Sequence, residues 1–187
     1  MWGRCPAEQG VPPLWPWQRV LAAAGVPPIA TLAAGYGATM SPEDTAAVRL
    51  LVASAVTDAL ISAAAPAGLV VVLEDLHWAE GASLDVLAAD VRRSRLLVVA
   101  SARDADGRAL PEPIADLVRL PGVELLALGP LSVAGVAAYL SAAEGRAVDQ
   151  ATVAQVHERS GGNPLFVRTL ARVLGPDLGQ PALSAED

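Results

Sequence analysis

The chain has no lysine: all 13 of its basic residues are arginine. A phosphate-binding loop of the G-x-x-x-x-G-K-[ST] kind needs a lysine to reach the β- and γ-phosphates, so this chain carries no such loop. Cysteine occurs once, at Cys5, which excludes an internal disulfide and fits a reducing, cytoplasmic compartment. Histidine is nearly as scarce. His77 and His157 match no zinc-ligand spacing, and no Ser-His-Asp or Cys-His arrangement stands out. Aromatic residues make up 4% of 187 positions, so a core must be aliphatic, built from Leu, Val and Ala. Positive charge is also short. Twenty acids against 13 bases leave a formal net charge of −7, a poor match for a phosphate backbone, so no direct contact with nucleic acid is expected. No charged n-region followed by an apolar h-region opens the chain, so no secretory signal is read.

What is present is enough apolar material for a packed domain: 53% hydrophobic, 18% charged, mean hydropathy +0.41. The most apolar stretch, residues 50–73, is interrupted by Asp58 and divided by Pro66-Ala67-Gly68. It reads as a helix, a turn and a buried strand rather than a membrane span.

Along the chain, residues 1–5 read as the end of a strand and 6–16 as a proline-rich loop. Residues 17–24 read as a helix stopped by Gly25, and 26–40 as irregular. Ser41, Pro42 and Asp44 open a helix running to about Ala64. Residues 69–73 and 96–100 are continuous apolar runs, the pattern of strands buried on both faces. Between them Ser83 is placed as the cap of a helix to residue 92 or 93. Residues 111–118 predict a short helix and 123–128 a further strand, giving a parallel α/β order. After Gly129-Pro130, residues 132–143, 149–159 and 163–174 predict three helices, followed by a tail over 178–187.

The chemistry is expected at the carboxyl end of the strand in LVVVLEDLHWAE, residues 69–80, where Glu74 and Asp75 sit side by side. A metal–nucleotide site uses one acid there for the magnesium shell and a second to orient the attacking water. The alternative is an acidic helix cap or a solvated turn.

The string EDLHWAE, followed by Ser83-Leu84, resembles the Walker B region of the signal-transduction NTPases with numerous domains (STAND). These are AAA-like ATPase modules of large LuxR-type bacterial transcriptional regulators. Other segments resemble that family in its own order. They are Trp2-Gly3-Arg4-Cys5, Pro13-Leu14-Trp15-Pro16-Trp17, LLVVASARD at 96–104, Gly129-Pro130-Leu131-Ser132 and SGGNPLFV at 160–167. The resemblance implies a partial P-loop NTPase-type parallel sheet over residues 1–130, a helical lid over 131–175 and a tail over 176–187. It implies Glu74 as the Mg²⁺-side acid, although many members carry Asp there, and Asp75 as general base at the metal. It implies Ser101 and Arg103 toward the γ-phosphate, and Asn163 and Pro164 at the adenine. ATP and Mg²⁺ are the implied cofactors of the whole module. The implied partners are an N-terminal segment with the first strand and phosphate loop, and an effector domain that binds DNA. Neither is in these 187 residues, so hydrolysis by this chain alone is not expected. The family places its first strand in the middle of the sheet. Its absence should leave a gap, or a direct pairing of 96–100 with 123–128. Each lid residue also has a plain reading: Gly161-Gly162 as a helix stop, Pro164 as a first-turn proline. The alternative for the whole chain is a non-catalytic protein-interaction domain on the same scaffold.

Overall fold

The computed structural model describes residues 1–7, 12–34, 45–88, 94–103 and 110–174. The protein is mixed α/β. Its three strands are β1 (Trp2–Arg4), β2 (Leu69–Glu74) and β3 (Leu96–Ala100). They form one parallel sheet in the order β1-β2-β3, with Trp2 opposite Val72 and Val72 opposite Val99. Helices α1 (Trp15–Ala23), α2 (Ile29–Ala34) and α3 (Thr45–Ala64) connect β1 to β2. Helix α4 (Gly81–Ala88) lies between β2 and β3, and α5 (Glu112–Val118) follows β3. Helices α6 (Val133–Glu144), α7 (Gln150–Ser160) and α8 (Pro164–Leu174) complete the described chain. By their contacts the residues divide into two units, Met1–Leu125 and Leu126–Asp187.

In the first unit the core lies on one face of the sheet. Gly3, Val71 and Leu73 point into it, against Trp17, Val20 and Leu21 of α1 and Ala53, Val56 and Leu60 of α3. Leu84 and Val86 of α4 and Ile114 of α5 belong to the same cluster. Gly3 permits the approach of β1 to α1: a Cβ there would stand 2.6 Å from the Pro16 carbonyl oxygen. The opposite face is open. Trp2, Val70, Leu97 and Val99 share it by register and are 58%, 50%, 57% and 49% exposed. The apolar runs are therefore buried on one face and not on two. Handedness explains this. Right-handed crossovers from β1 to β2 and from β2 to β3 step across the sheet in one direction, which stacks every connecting helix on one side. Nothing among the described residues reverses that direction.

Residues 123–128 form no strand. Leu125, Leu126 and Leu128 are 57%, 74% and 95% exposed, and among the described residues β3 pairs only with β2. Residues 123–128 therefore do not add to the open edge of β3, and the expected direct pairing of 96–100 with 123–128 is not formed. Residues 29–34, expected as irregular, form α2 instead. The Ser41, Pro42 and Asp44 cap and the tail from 178 lie outside the described residues. Helix α3 ends at Ala64 as the spacing predicts. Over Ala46–Ala64 it is long and apolar enough to cross a membrane by length and composition. In the fold its Ala53, Val56 and Leu60 pack into the core, and Arg49 bonds Asp85 of α4 at 2.7 Å.

The second unit is a helical cluster around Val136, Leu140, Val153, Val156, Val167 and Ala171. Each of its helices begins with a side-chain cap. Ser132 accepts from the Gly135 N–H at 3.1 Å, Asp149 from Thr152 at 2.9 Å, and Asn163 from Leu165 at 2.9 Å. Gly162, at φ 72°, lies so close to the Leu131 carbonyl that a Cβ would clash, and its own oxygen accepts the Leu131 N–H at 2.8 Å.

Candidate functional site

The carboxyl ends of the three strands bring Arg4, Glu74, Asp75, Ser101 and Arg103 together. This is where open parallel sheets present groups to ligands. Asp75 follows β2 in the left-handed region, at φ 58°. Asp tolerates that conformation better than most residues, and the turn starts a single 3-10 helix over Leu76–Trp78. Two hydrogen bonds to the segment after β3 hold the turn: the Asp75 N–H donates to Ser101 Oγ at 3.3 Å, and the Leu76 N–H to the Ser101 carbonyl at 2.8 Å. The Arg103 N–H donates to His77 Nδ1 at 3.4 Å. His77 leans on the Trp78 ring, with centroids 5.1 Å apart.

The Asp75 carboxylate is shared between two arginines. Arg4 Nε and Nη2 both reach Oδ2 at 3.1 Å, and Arg103 Nη2 lies 3.6 Å from Oδ1. The carboxylate is 19% exposed, while the arginine side chains are 66% and 74% exposed. Glu74 is half-buried on the same face as Arg4. Among the described residues nothing pairs with its carboxylate. Sequence reasoning missed Arg4 as part of this cluster. Its only signal was its place at the end of a strand parallel to β2.

Glu80, the last acid of the same string, has a structural task. Its Oε1 accepts from the Leu14 N–H at 2.7 Å, Ser83 Oγ at 2.7 Å and the Ser83 N–H at 3.1 Å. The cap of α4 is therefore Glu80, not Ser83, which lies inside the helix. The same carboxylate fixes Leu14, whose φ of 62° turns the chain into α1. Trp17 Nε1 donates to the Ser83 carbonyl at 3.0 Å and completes the tie. Cys5 is buried beneath this corner. Burial, with the charges of Glu80 and Asp75, pushes its thiol up to about 11, so it stays protonated and unreactive at neutral pH.

Asn163 and Pro164 belong to the helical unit, where Asn163 caps α8 and Pro164 is its first residue. Their local geometry is that of a helix start following the Gly161 stop. For a magnesium ion the strand ends offer two carboxylates: Asp75, held by two arginines, and Glu74, which is unpaired among the described residues. Magnesium keeps several waters and needs only one or two protein carboxylates, which Glu74 and Asp75 match in type alone, since two guanidinium groups hold Asp75. No group of three or more acidic, His or Cys side chains converges among the described residues. The phosphate cradle itself is not supplied by this lysine-free chain. An apolar cleft of about 240 Å³ lies along Gln18, Ala22, Val26, Pro28, Ile29 and Ala30, and no candidate site residue lines it.

Comparison with protein-family models, with curated proteins and with solved structures gives no match for this chain.

Proposed function

We propose that the chain is part of a regulatory ATP-binding module of the STAND or AAA-like kind, related to P-loop NTPases and serving a cytoplasmic transcriptional regulator. One observation carries the reading. An adjacent acidic pair, a serine and an arginine meet at the carboxyl ends of adjacent parallel strands, where a metal–nucleotide site needs them. In this reading Glu74 faces the magnesium shell, Asp75 orients the attacking water, and Ser101 and Arg103 face the terminal phosphate. A strand and phosphate loop supplied by further polypeptide pair with the free edge of β3, and their helix covers the open apolar face. A DNA-binding effector domain receives the change of state.

The test begins with the DNA upstream of the Met1 codon. An in-frame stretch encoding G-x-x-x-x-G-K-[ST] is expected. An in-frame stop just upstream, behind a good ribosome-binding site, would defeat the proposal. The 187-residue chain alone should bind Mg-ATP with a dissociation constant no better than the order of 1 mM, because the cradle is absent. In the chain extended by that segment, Asp75→Asn should cut turnover about a hundredfold without weakening ATP binding. Unchanged turnover would remove its assigned role.

A second reading is favoured by the open face of Trp2, Val70, Leu97 and Val99. An exposed apolar surface of this kind suits a non-catalytic interaction domain on the same scaffold. An extended chain that binds no ATP, yet holds a protein partner that is lost on Leu97→Lys, would establish that reading instead.

A further inference from the structure

We propose that Arg4 and Arg103 form a two-pronged fork for an oxyanion, a phosphate group, and that Asp75 is its built-in competitor. The arginines rise from the ends of the two outer strands and converge on one carboxylate between them, each taking a different oxygen. A phosphate presents the same spacing of acceptor oxygens with more charge, and guanidinium groups match it in geometry. Both side chains are mostly exposed, so turning outward to a ligand costs no core packing. Surface pairs of this kind are weak, which makes the exchange from carboxylate to phosphate possible.

The charges set the direction of the effect. Arg4 and Arg103 both hold the one Asp75 carboxylate, so in this structure the fork is closed on an acid of the chain itself. A phosphate that takes both arginines releases the Asp75 carboxylate, which is otherwise tied up. Under the nucleotide reading, the ligand thereby frees the acid that is to act on water. The fork rests on that reading only for the identity of the ligand, since it binds any phosphate.

The experiment is a calorimetric titration of the 187-residue chain with inorganic pyrophosphate, and in parallel with ATP. Asp75→Asn removes the competing charge, and Asn also tolerates the left-handed backbone. It should bind pyrophosphate about tenfold more tightly than the wild type, since two weak ion pairs no longer oppose binding. Adding Arg4→Gln and Arg103→Gln to that variant should return the affinity to the wild-type level or below. Equal affinity of Asp75→Asn and wild type, or tight binding that survives loss of both arginines, overturns the fork. Should Asp75→Asn fail to fold, the wild type decides by NMR of the arginine Nε–H signals. Those of Arg4 and Arg103 move with pyrophosphate and not with chloride at equal ionic strength, and no such movement overturns the proposal. Pyrophosphate binding with the expected pattern but no preference for ATP leaves the fork standing and counts against the adenine site. ATP binding indifferent to both arginines removes the fork and leaves the nucleotide reading intact.

Discussion

At the scale of single residues, the string at 69–80 contains acids with different surroundings. Glu74 is half-buried and unpaired among the described residues, Asp75 is held by two arginines, and Glu80 is a structural acceptor for three donors. The sequence made the acidic pair legible, because a polar pair ending an apolar run marks a strand end. It could not reveal Arg4 beside Asp75, since that contact spans 71 positions and depends on β1 pairing with β2. Nor could it distinguish Glu80 from its neighbours. Glu80→Ala should uncap α4 and free the Leu14 N–H together. The expected cost is about 1 to 2 kcal/mol, a fall in Tm of about 5 °C by calorimetry. Glu80→Gln keeps an acceptor and should lose less. An unchanged Tm in Glu80→Ala would show that the tie contributes nothing.

At the scale of elements, strands and helices were legible where local chemistry decided them. The run at 96–100 matches β3 residue for residue, and the helix stop read at Gly161-Gly162 closes α7. Residues 123–128 were not legible, because a strand is a property of a pair, and an apolar run does not state which edge, if any, will accept it. Helix α7 offers a test of its cap. The Thr152 hydroxyl and N–H, both donating to Asp149, hold its carboxyl below the ordinary aspartate value. A group whose pKa is lowered by folding stabilises the fold above its unfolded value, and loses that contribution as pH falls through the folded value. Wild type should therefore exceed Asp149→Ala in stability at pH 6, and the gap should narrow at about pH 3. Urea unfolding followed by helix content checks this, and equal gaps at both pH values would contradict it.

At the scale of the whole molecule, the single covered face of the sheet follows from chain direction. Two crossovers of one hand advancing the same way put no connecting helix of the first unit on the other face among the described residues, whatever its side chains are. The side chains there are nonetheless apolar. A parallel sheet ordinarily carries helices on both faces, and Trp2, Val70, Leu97 and Val99 meet that composition without the cover. Sequence composition alone predicted two-sided burial because it reports what a strand is suited to, and not which neighbours it has.

The unpaired stretch at 123–129 also determines how the polypeptide can be cut. It runs through the boundary of the two units at Leu125 and Leu126, and a protease must draw several extended residues into its own cleft. Leu126 and Leu128 already stand 74% and 95% exposed, with no ladder to break first. Brief digestion with thermolysin, which cleaves before leucine, should nick the chain at Leu125, Leu126 or Leu128 ahead of any site within β2, β3 or α6 to α8. Mass spectrometry would show the new ends. First cleavage inside one of those elements would mean that the stretch is shielded. Cleavage where expected would divide the polypeptide between its strand-bearing and its helical portions.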